Sequence, residues 1–333
     1  MSIKSGNTPY MGVGIEVTPG TGVQASKWIP YVSCTLLAKQ EPLFDESAKG
    51  VRDKNYASSV GKLSGSGDVE IYMDVENAMY FLYPALGEKT TVTAAGETTV
   101  WEHTLTRKSA NPPKTVTIVY NDTVDTRKYT YGVVNSFDLN VVDGLATLSA
   151  NILTKFPTTA TGTLALTTER IMSFKDYSIK FGSGATGTAA LVAAAAANAT
   201  PVSSFSLKYN NNAEMQFMSG SGSPASISMG ALEVDGEYVI FYENTNERAF
   251  YETMLYGVDP VRAMIVTFTG DSIGSAETEE IQIKIPNFKL KDKGLDAAIS
   301  GFITENPQFI AMYDPNEAKT IQIKVTNSTH VYN

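Results

Sequence analysis

The chain has 333 residues, with 26 Lys and Arg against 35 Asp and Glu for a net charge of -9, and only 18% of its residues are charged. That length fills one large core or two medium ones, and the composition is globular rather than disordered. The acidic balance argues against a nucleic-acid binder, which needs a basic footprint, but not against a surface that nucleic acid slides past without sticking. No apolar run is long enough to span a bilayer and no basic-then-apolar leader is present, so neither membrane residence nor export finds support. Cys34 is the single cysteine and has no internal disulfide partner; among Val32, Leu36 and Leu37 it reads as a small packed hydrophobe.

In chain order, residues 1–27 are punctuated by Gly, Pro, Thr and Ser and read as an extended arm. Gly12-Val-Gly14 lacks the preceding strand and third glycine of a nucleotide loop. Strand-like alternation runs from Trp28 to Leu43. The polar stretch from Phe44 to Lys62 is too long for an idle connection and reads as a binding loop or a surface hairpin. Gly67 to Gly87 then changes period. Val69, Ile71 and Met73 alternate as a strand, Asp74 caps a helix, and Val75, Ala78, Met79, Leu82 and Leu86 recur at helical spacing. Pro84 is expected to distort the last turn and Gly87 to end it.

Residues 90–113, with a Thr run and Pro112-Pro113, read as an insertion. Two hairpins follow, one turning at Asn121-Asp122 and one at Asp143-Gly144. Pro157 to Thr168 reads as a boundary. Beyond it come a strand from Phe174 to Phe181, an alanine-rich stretch, and strands at Met264–Phe268, Ile281–Ile285, Phe288–Lys291, Ala298–Ile303 and Ile321–Val325.

The halves resemble each other. Gly236 to Gly257 repeats the strand-cap-helix-Gly unit, with Asn244 and Glu247 as a capping box. Val32–Leu37 matches Val202–Leu207, and Asn135–Leu153 matches Asn287–Ile303 with Phe137 on Phe288, Leu139 on Leu290, Gly144 on Gly294 and Ile152 on Ile303. The fold class is therefore mainly β, with two duplicated β-sandwich or barrel-like domains, each with one short helix, after an N-terminal arm. The boundaries are 1–27 for the arm, 28–157 for the first repeat with its insertion 90–113 and loop 44–62, 158–171 for a linker, and 172–333 for the second repeat.

Nothing in the sequence points to catalysis, a cofactor or a metal. His103 and His330 lie far apart with no nucleophile at a meaningful spacing, and His103 beside Trp101 reads as an ordinary exposed to half-buried histidine. One Cys and two distant His make no zinc site, and strand alternation and capping account for Asp68, Glu70, Asp74 and Glu76 without calcium. The sequons at Asn121 and Asn327 matter only in a secreted eukaryotic protein.

These features resemble the tail tube proteins of long-tailed, non-contractile bacteriophages. The likeness is carried by GVGIEVTPGTGVQASKWIPY, by LSGSGDVEIYMDVENAMYFLYPALG, and by VSSFSLKYNNNAE with VRAMIVTFTGD and IKIPNFKL. It implies a structural virion protein whose sandwiches join their neighbours' sheets into rings, the rings stacking into the tube through which the genome reaches the host. Such a protein's partners are copies of itself, the tape measure protein and the tail terminator and tip proteins, with genomic DNA passing unbound. It would lie in the virion tail after assembly in the host cytoplasm. Six repeats per ring imply six chains, or three if each chain supplies two.

Assembly contacts are expected from Tyr10 and Glu16 in the arm and from Phe44, Asp45, Glu46, Lys49, Arg52, Asp53, Lys54 and Tyr56 in the loop. Asp68, Glu70, Asp138, Asn140 and Glu237 are the candidate lumen lining. A two-domain β-sandwich adhesin or virion decoration protein is the alternative reading.

Overall fold

Alternation with period two dominates the chain and emerges as strands almost throughout. The computed structural model describes residues 5–6, 8–142, 144–162, 165–183, 199–200, 202–241, 262–292, 294–296 and 303–332. The first half supplies β1 (Tyr10–Ile15), β2 (Lys27–Ile29), β3 (Ser33–Cys34), β4 (Leu37–Asp45), β5 (Ala57–Tyr72), helix α1 (Val75–Leu86), β6 (Gly87–Thr93), β7 (Trp101–Arg107), β8 (Val116–Asn121), β9 (Thr126–Val141), β10 (Thr147–Thr154) and β11 (Thr158–Thr159). The second half supplies β12 (Tyr177–Ser183), β13 (Ala199–Thr200), β14 (Val202–Asn210), β15 (Glu214–Gln216), β16 (Ser226–Ser228), β17 (Glu233–Phe241), β18 (Arg262–Ile273), β19 (Glu277–Asp292), β20 (Leu295–Asp296), β21 (Thr304–Glu305), β22 (Gln308–Ala311) and β23 (Gln322–Asn327).

Helix α1 forms where the period changes. The Asp74 carboxylate accepts from the backbone N–H of Glu76 (3.0 Å) and Asn77 (2.7 Å), satisfying two donors of the first turn. Gly87 closes the helix at φ 92°, a left-handed position that favours glycine, and its N–H returns to the Tyr83 carbonyl. Pro84 sits in the last turn without ending the helix. Only Tyr83 escapes burial, so α1 is covered on all sides. One of its last carbonyls is held by the second half of the chain: Ala85 O accepts from Tyr209 Oη (3.2 Å) and Asn211 Nδ2 (2.9 Å).

The sheet is continuous through both halves. β3 and β4 pair with β5, β5 with β10, β10 with β9, β9 with β14, β14 with β17, β17 with β21 and β22, and β22 with β19, all antiparallel. One apolar row crosses it: Ile71, Leu148, Leu139, Leu207, Gly236, Phe309 and Leu290 are successive neighbours. A parallel row places Val69, Ala150, Phe137, Tyr209 and Val234 side by side, with the Phe137 and Tyr209 rings stacked 4.8 Å apart. β9 and β19 are each 16 residues long and carry their N-terminal halves into a second layer. There β9 pairs with β8, followed by β1 and β2, while β19 lies between β18 and β23, the latter joined to β7. The fold is of the sandwich type, and one large apolar cluster and one small one each draw on both halves.

The duplication is visible as repeated pairing, irregularities included. Strand order β3/β4–β5–β10–β9–β8–β1 recurs as β14–β17–β21/β22–β19–β18–β12. In the first repeat Val116 faces Gly132 while Ile118 faces Tyr129; in the second Arg262 faces Phe288 while Met264 faces Ile285. Likewise Asn151 faces Ser136 and Ile152 faces Val134, as Gln308 faces Asp292 and Phe309 faces Leu290. Gly67 and Gly236 occupy one position, for a Cβ on either would overlap the neighbouring strand at the Thr35 or the Ser206 carbonyl.

This register corrects several expectations. Leu290 corresponds to Val134 rather than to Leu139, whose counterpart is Leu295, and Ile152 corresponds to Phe309 rather than Ile303. Period-two alternation matches itself at several displacements, and the bulges that settle the true one leave no mark in composition. Leu207 likewise corresponds to Leu36, not Leu37; the one-residue difference separates a core side chain from an exposed one. Residues 90–113, read as an insertion in the first repeat, carry structure of their own: β6 and β7 form a hairpin that joins β23, with Leu105 in the core. The N-terminal segment is no free arm either, because β1 is the counterpart of β12 and its Met11 and Val13 are wholly buried. The expected second helix after Asn244, the alanine run and most of the Ala298–Ile303 strand lie outside the described residues.

Candidate functional site

The face of the sheet turned away from the core is mostly polar. Across it Ser33, Glu70, Ser149, Asp138, Lys208, Asp235, Ile310 and Lys289 are successive neighbours on eight adjoining strand segments. On one side of this row lie Thr147, Asn140, Ser206, Glu237 and Gln308; on the other lie Asp68, Asn151, Ser136, Asn210 and Glu233. All five residues read from the sequence as a lining, Asp68, Glu70, Asp138, Asn140 and Glu237, therefore stand on one surface.

Its charges are interleaved, with carboxylates in excess. Lys208 lies between Asp138 and Asp235, and Asp68 accepts from Asn151 Nδ2 at 2.7 Å. Partial burial holds the Asp138 carboxyl above its usual range; Lys208 opposes that shift, while Asp235 and Asp68 add to it. Over β17 and β22 the face sinks into a hollow of about 560 Å³ lined by Lys208, Asp235, Glu237, Lys291 and Gln308 among others. Lys208, Glu233 and Asp235 went unremarked in the sequence, although the alternation of SSFSLKYN and EVDGEYVIF already places Lys208 and Asp235 opposite their apolar neighbours.

The second surface is a projection. β10 accompanies β5 only from Gly65 to Tyr72, whereas β4 pairs with β5 out to Asp45 opposite Ala57. The two strands thus run on as a hairpin for roughly 25 Å at about 3.3 Å per residue. Its base is braced by the second repeat, where Leu63 N–H donates to the Gly222 carbonyl (2.7 Å) and Lys62 Nζ lies 5.0 Å from the centre of the Phe217 ring. Beyond the brace, Leu43 is 61% exposed, Phe44 53%, Tyr56 63% and Val60 63%. In the connection 46–56, Lys49 pairs with Asp45 and rests 4.3 Å from the Tyr56 ring centre, and Lys54 pairs with Glu46 at 3.1 Å. Lys49 and Ser47 together hold Asp45 below the usual carboxylate range. Arg52 and Asp53 are exposed on the same connection.

A family model described as phage tail tube protein matches residues 6–310. The chain belongs to the phage tail tube protein family. No curated protein matches it significantly. Membership makes this tail tube protein a structural component of a virion tail that self-assembles into a tube with other tail proteins. None of the helices among the described residues is long and apolar enough to cross a membrane.

Two of the residues assigned to assembly have partners within the fold. Tyr10 packs edge-on against Trp28 (ring centres 5.3 Å apart) and donates to the Gly162 carbonyl. Glu16 is wholly buried, accepting from Thr115 Oγ1 (2.7 Å), Thr117 Oγ1 (2.8 Å), Tyr131 N–H (2.8 Å) and Gly20 N–H (2.7 Å). It ties β1 to β8 and β9, and the flanking glycines had disguised it as part of a loop. Glu16→Ala, which strands those donors in the interior, is expected to cost roughly 3 kcal/mol or more of stability, read as a lower urea midpoint at unchanged slope. A midpoint shift under 0.5 kcal/mol equivalent would show that water replaces the carboxylate without loss.

His103 is wholly buried rather than half-exposed. Its Nδ1 accepts from Thr91 Oγ1 (2.9 Å), its Nε2–H donates to the Thr329 carbonyl (2.8 Å), and burial lowers its pKa. The neutral ring fastens the β6–β7 hairpin to the segment after β23. His330 stacks on Trp101 with ring centres 3.8 Å apart.

Proposed function

We propose that three copies of this tail tube protein close into a ring, that rings stack into the tube of a long-tailed, non-contractile phage, and that the polar sheet face bounds the channel for the genome. The observation that carries this reading is the junction of β9 with β14. Within one chain, the last strand of one repeat's sheet is completed by the first strand of the next, so each chain already holds two adjacent repeats of a ring. At the far ends, among the described residues, β3 and β4 pair only with β5, and Lys289–Asp292 of β19 has β22 beside it. Open strand edges invite pairing, and closed cyclic symmetry removes them.

The projecting hairpin is then the device for stacking, its exposed Phe44, Tyr56 and Val60 gaining cover only from a neighbouring ring. Tape measure, terminator and tip proteins would complete the tail, assembly taking place in the host cytoplasm. The test is negative-stain microscopy of the purified protein together with mass measurement of single rings. Rings of three chains and stacked tubes are the expected result. Six chains per ring would overturn the stoichiometry, and persistent monomers would overturn the reading.

A further inference from the structure

We infer that the junction between chains copies the junction within the chain, residue for residue. The ends of β19 and β20 then lie antiparallel to the β3–β4 edge of the next copy, with Asp292 opposite Lys39, Leu295 opposite Leu36 and Asp296 opposite Thr35. The inference rests on the ring reading above and adds to it the register and the groups that meet.

The internal junction supplies the pattern: Ser136 faces Asn210, Leu139 faces Leu207 and Asn140 faces Ser206. Each partner has a counterpart fixed by independent pairings. On the β14 side, Cys34 faces Val69 as Phe205 faces Tyr238, which makes Leu36 the counterpart of Leu207 and Lys39 that of Asn210. On the β9 side, Leu139 facing Leu148 is repeated by Leu295 facing Glu305, and Ser136 facing Asn151 by Asp292 facing Gln308. Carrying both correspondences onto the internal junction gives this one register; a one-residue slip would set Leu36 against a residue of the opposite face, and a two-residue slip is the alternative that the test below separates.

The side chains agree with that register. Leu36 is buried at the edge of the first repeat, as Leu207 is within the internal junction. Lys39 and Asp292 are exposed, opposite in charge, and stand where the internal junction has the neutral pair Asn210 and Ser136. Opposed charges on facing strands favour that pairing, as Lys208 facing Asp138 does within the internal junction, and they make association between chains salt-sensitive.

The test is cross-linking in a Cys34→Ser background. With Lys39→Cys and Asp292→Cys together, oxidised rings should run on a non-reducing gel as a covalent species of three chains, since facing residues on paired strands bring Cβ atoms within about 5.5 Å. Leu37→Cys with Asp292→Cys, a two-residue slip, should cross-link at least tenfold less. In a second arm without cysteines, Asp292→Lys should lower ring formation at least ~3-fold, and adding Lys39→Asp should restore it. If rings form but the first pair stays unlinked, or the slipped pair links better, or the charge exchange fails to rescue, the register is wrong while the ring reading stands. If the unmodified protein forms no rings, the ring reading falls and this inference with it.

Discussion

Excising Glu46 to Ser58 is expected to leave rings that no longer stack. The cut is compatible with the local structure: Leu43 faces Ser59, so Phe44 and Asp45 become a two-residue loop, and rewriting them as Asn-Gly gives the turn that suits a twisted hairpin. Little folding energy is removed, because the excised side chains are exposed and their ion pairs lie at the surface. The expected change in stability is within about 1 kcal/mol. The stacking contact loses far more. Covering an aromatic or large aliphatic side chain contributes roughly 1.5–3 kcal/mol, so removing Phe44, Val51 and Tyr56 weakens each contact by some 10³-fold or more. Phe44→Ser with Tyr56→Ser, which keeps the hairpin's length, should shorten tubes by the same mechanism. Microscopy of the excised protein showing rings without tubes is the expected outcome, whereas tubes of normal length would assign stacking to another surface.

What could be read from the sequence was whatever is local. Asp74, the helical spacing after it and Gly87 define α1 within one stretch of chain, and the structure has that helix from Val75 to Leu86. What could not be read was fixed by distant partners. Gly12 and Gly14 looked like loop residues, yet they lie in β1, where a Cβ on Gly12 would meet the Trp28 ring at 2.7 Å and one on Gly14 would overlap the Gln24 carbonyl in the segment before β2. Glycine there serves the close approach of neighbouring chain, not a turn. The segment 90–113 matched nothing in the second repeat and so read as an insertion, while its partner, β23, lies more than two hundred residues away and could not be read from it. For the polar face, alternation told which side each residue takes, while only the pairing of β9 with β14 shows that Asp68, Asp138 and Glu237 share one surface. The recurrence of the bulges in both repeats is a stronger sign of duplication than the matched side chains, since bulge positions constrain the backbone and side chains drift around them.

Converting Asp68, Glu70 and Glu237 to lysine is expected to turn a tube that does not retain DNA into one that does. These side chains stand on the polar face, and Asp68 and Glu237 occupy equivalent positions on β5 and β17, so in a three-chain ring their charge recurs at every repeat. A polyanion moving past such a surface meets carboxylates at regular spacing. Lys208, the basic residue nearest the middle of the face, is flanked by Asp138 and Asp235 on the neighbouring strands and presents little uncompensated charge. The substitutions are tolerable because none of the three is in the core; their described side-chain hydrogen bonds, Asp68 with Asn151 and Glu70 with Ser33, are exposed. Short fluorescent duplexes mixed with assembled tubes give the readout. Wild-type tubes should show no retention at about 0.1 M salt, and the lysine variant should bind with an affinity that falls by about 10³-fold or more between 50 and 200 mM salt, as displaced counterions require. Salt-dependent retention by the wild type would mean that the channel surface is net positive. A variant that assembles yet behaves as the wild type would mean that this face does not bound the channel, and the orientation of the sheet in the ring would have to be reversed.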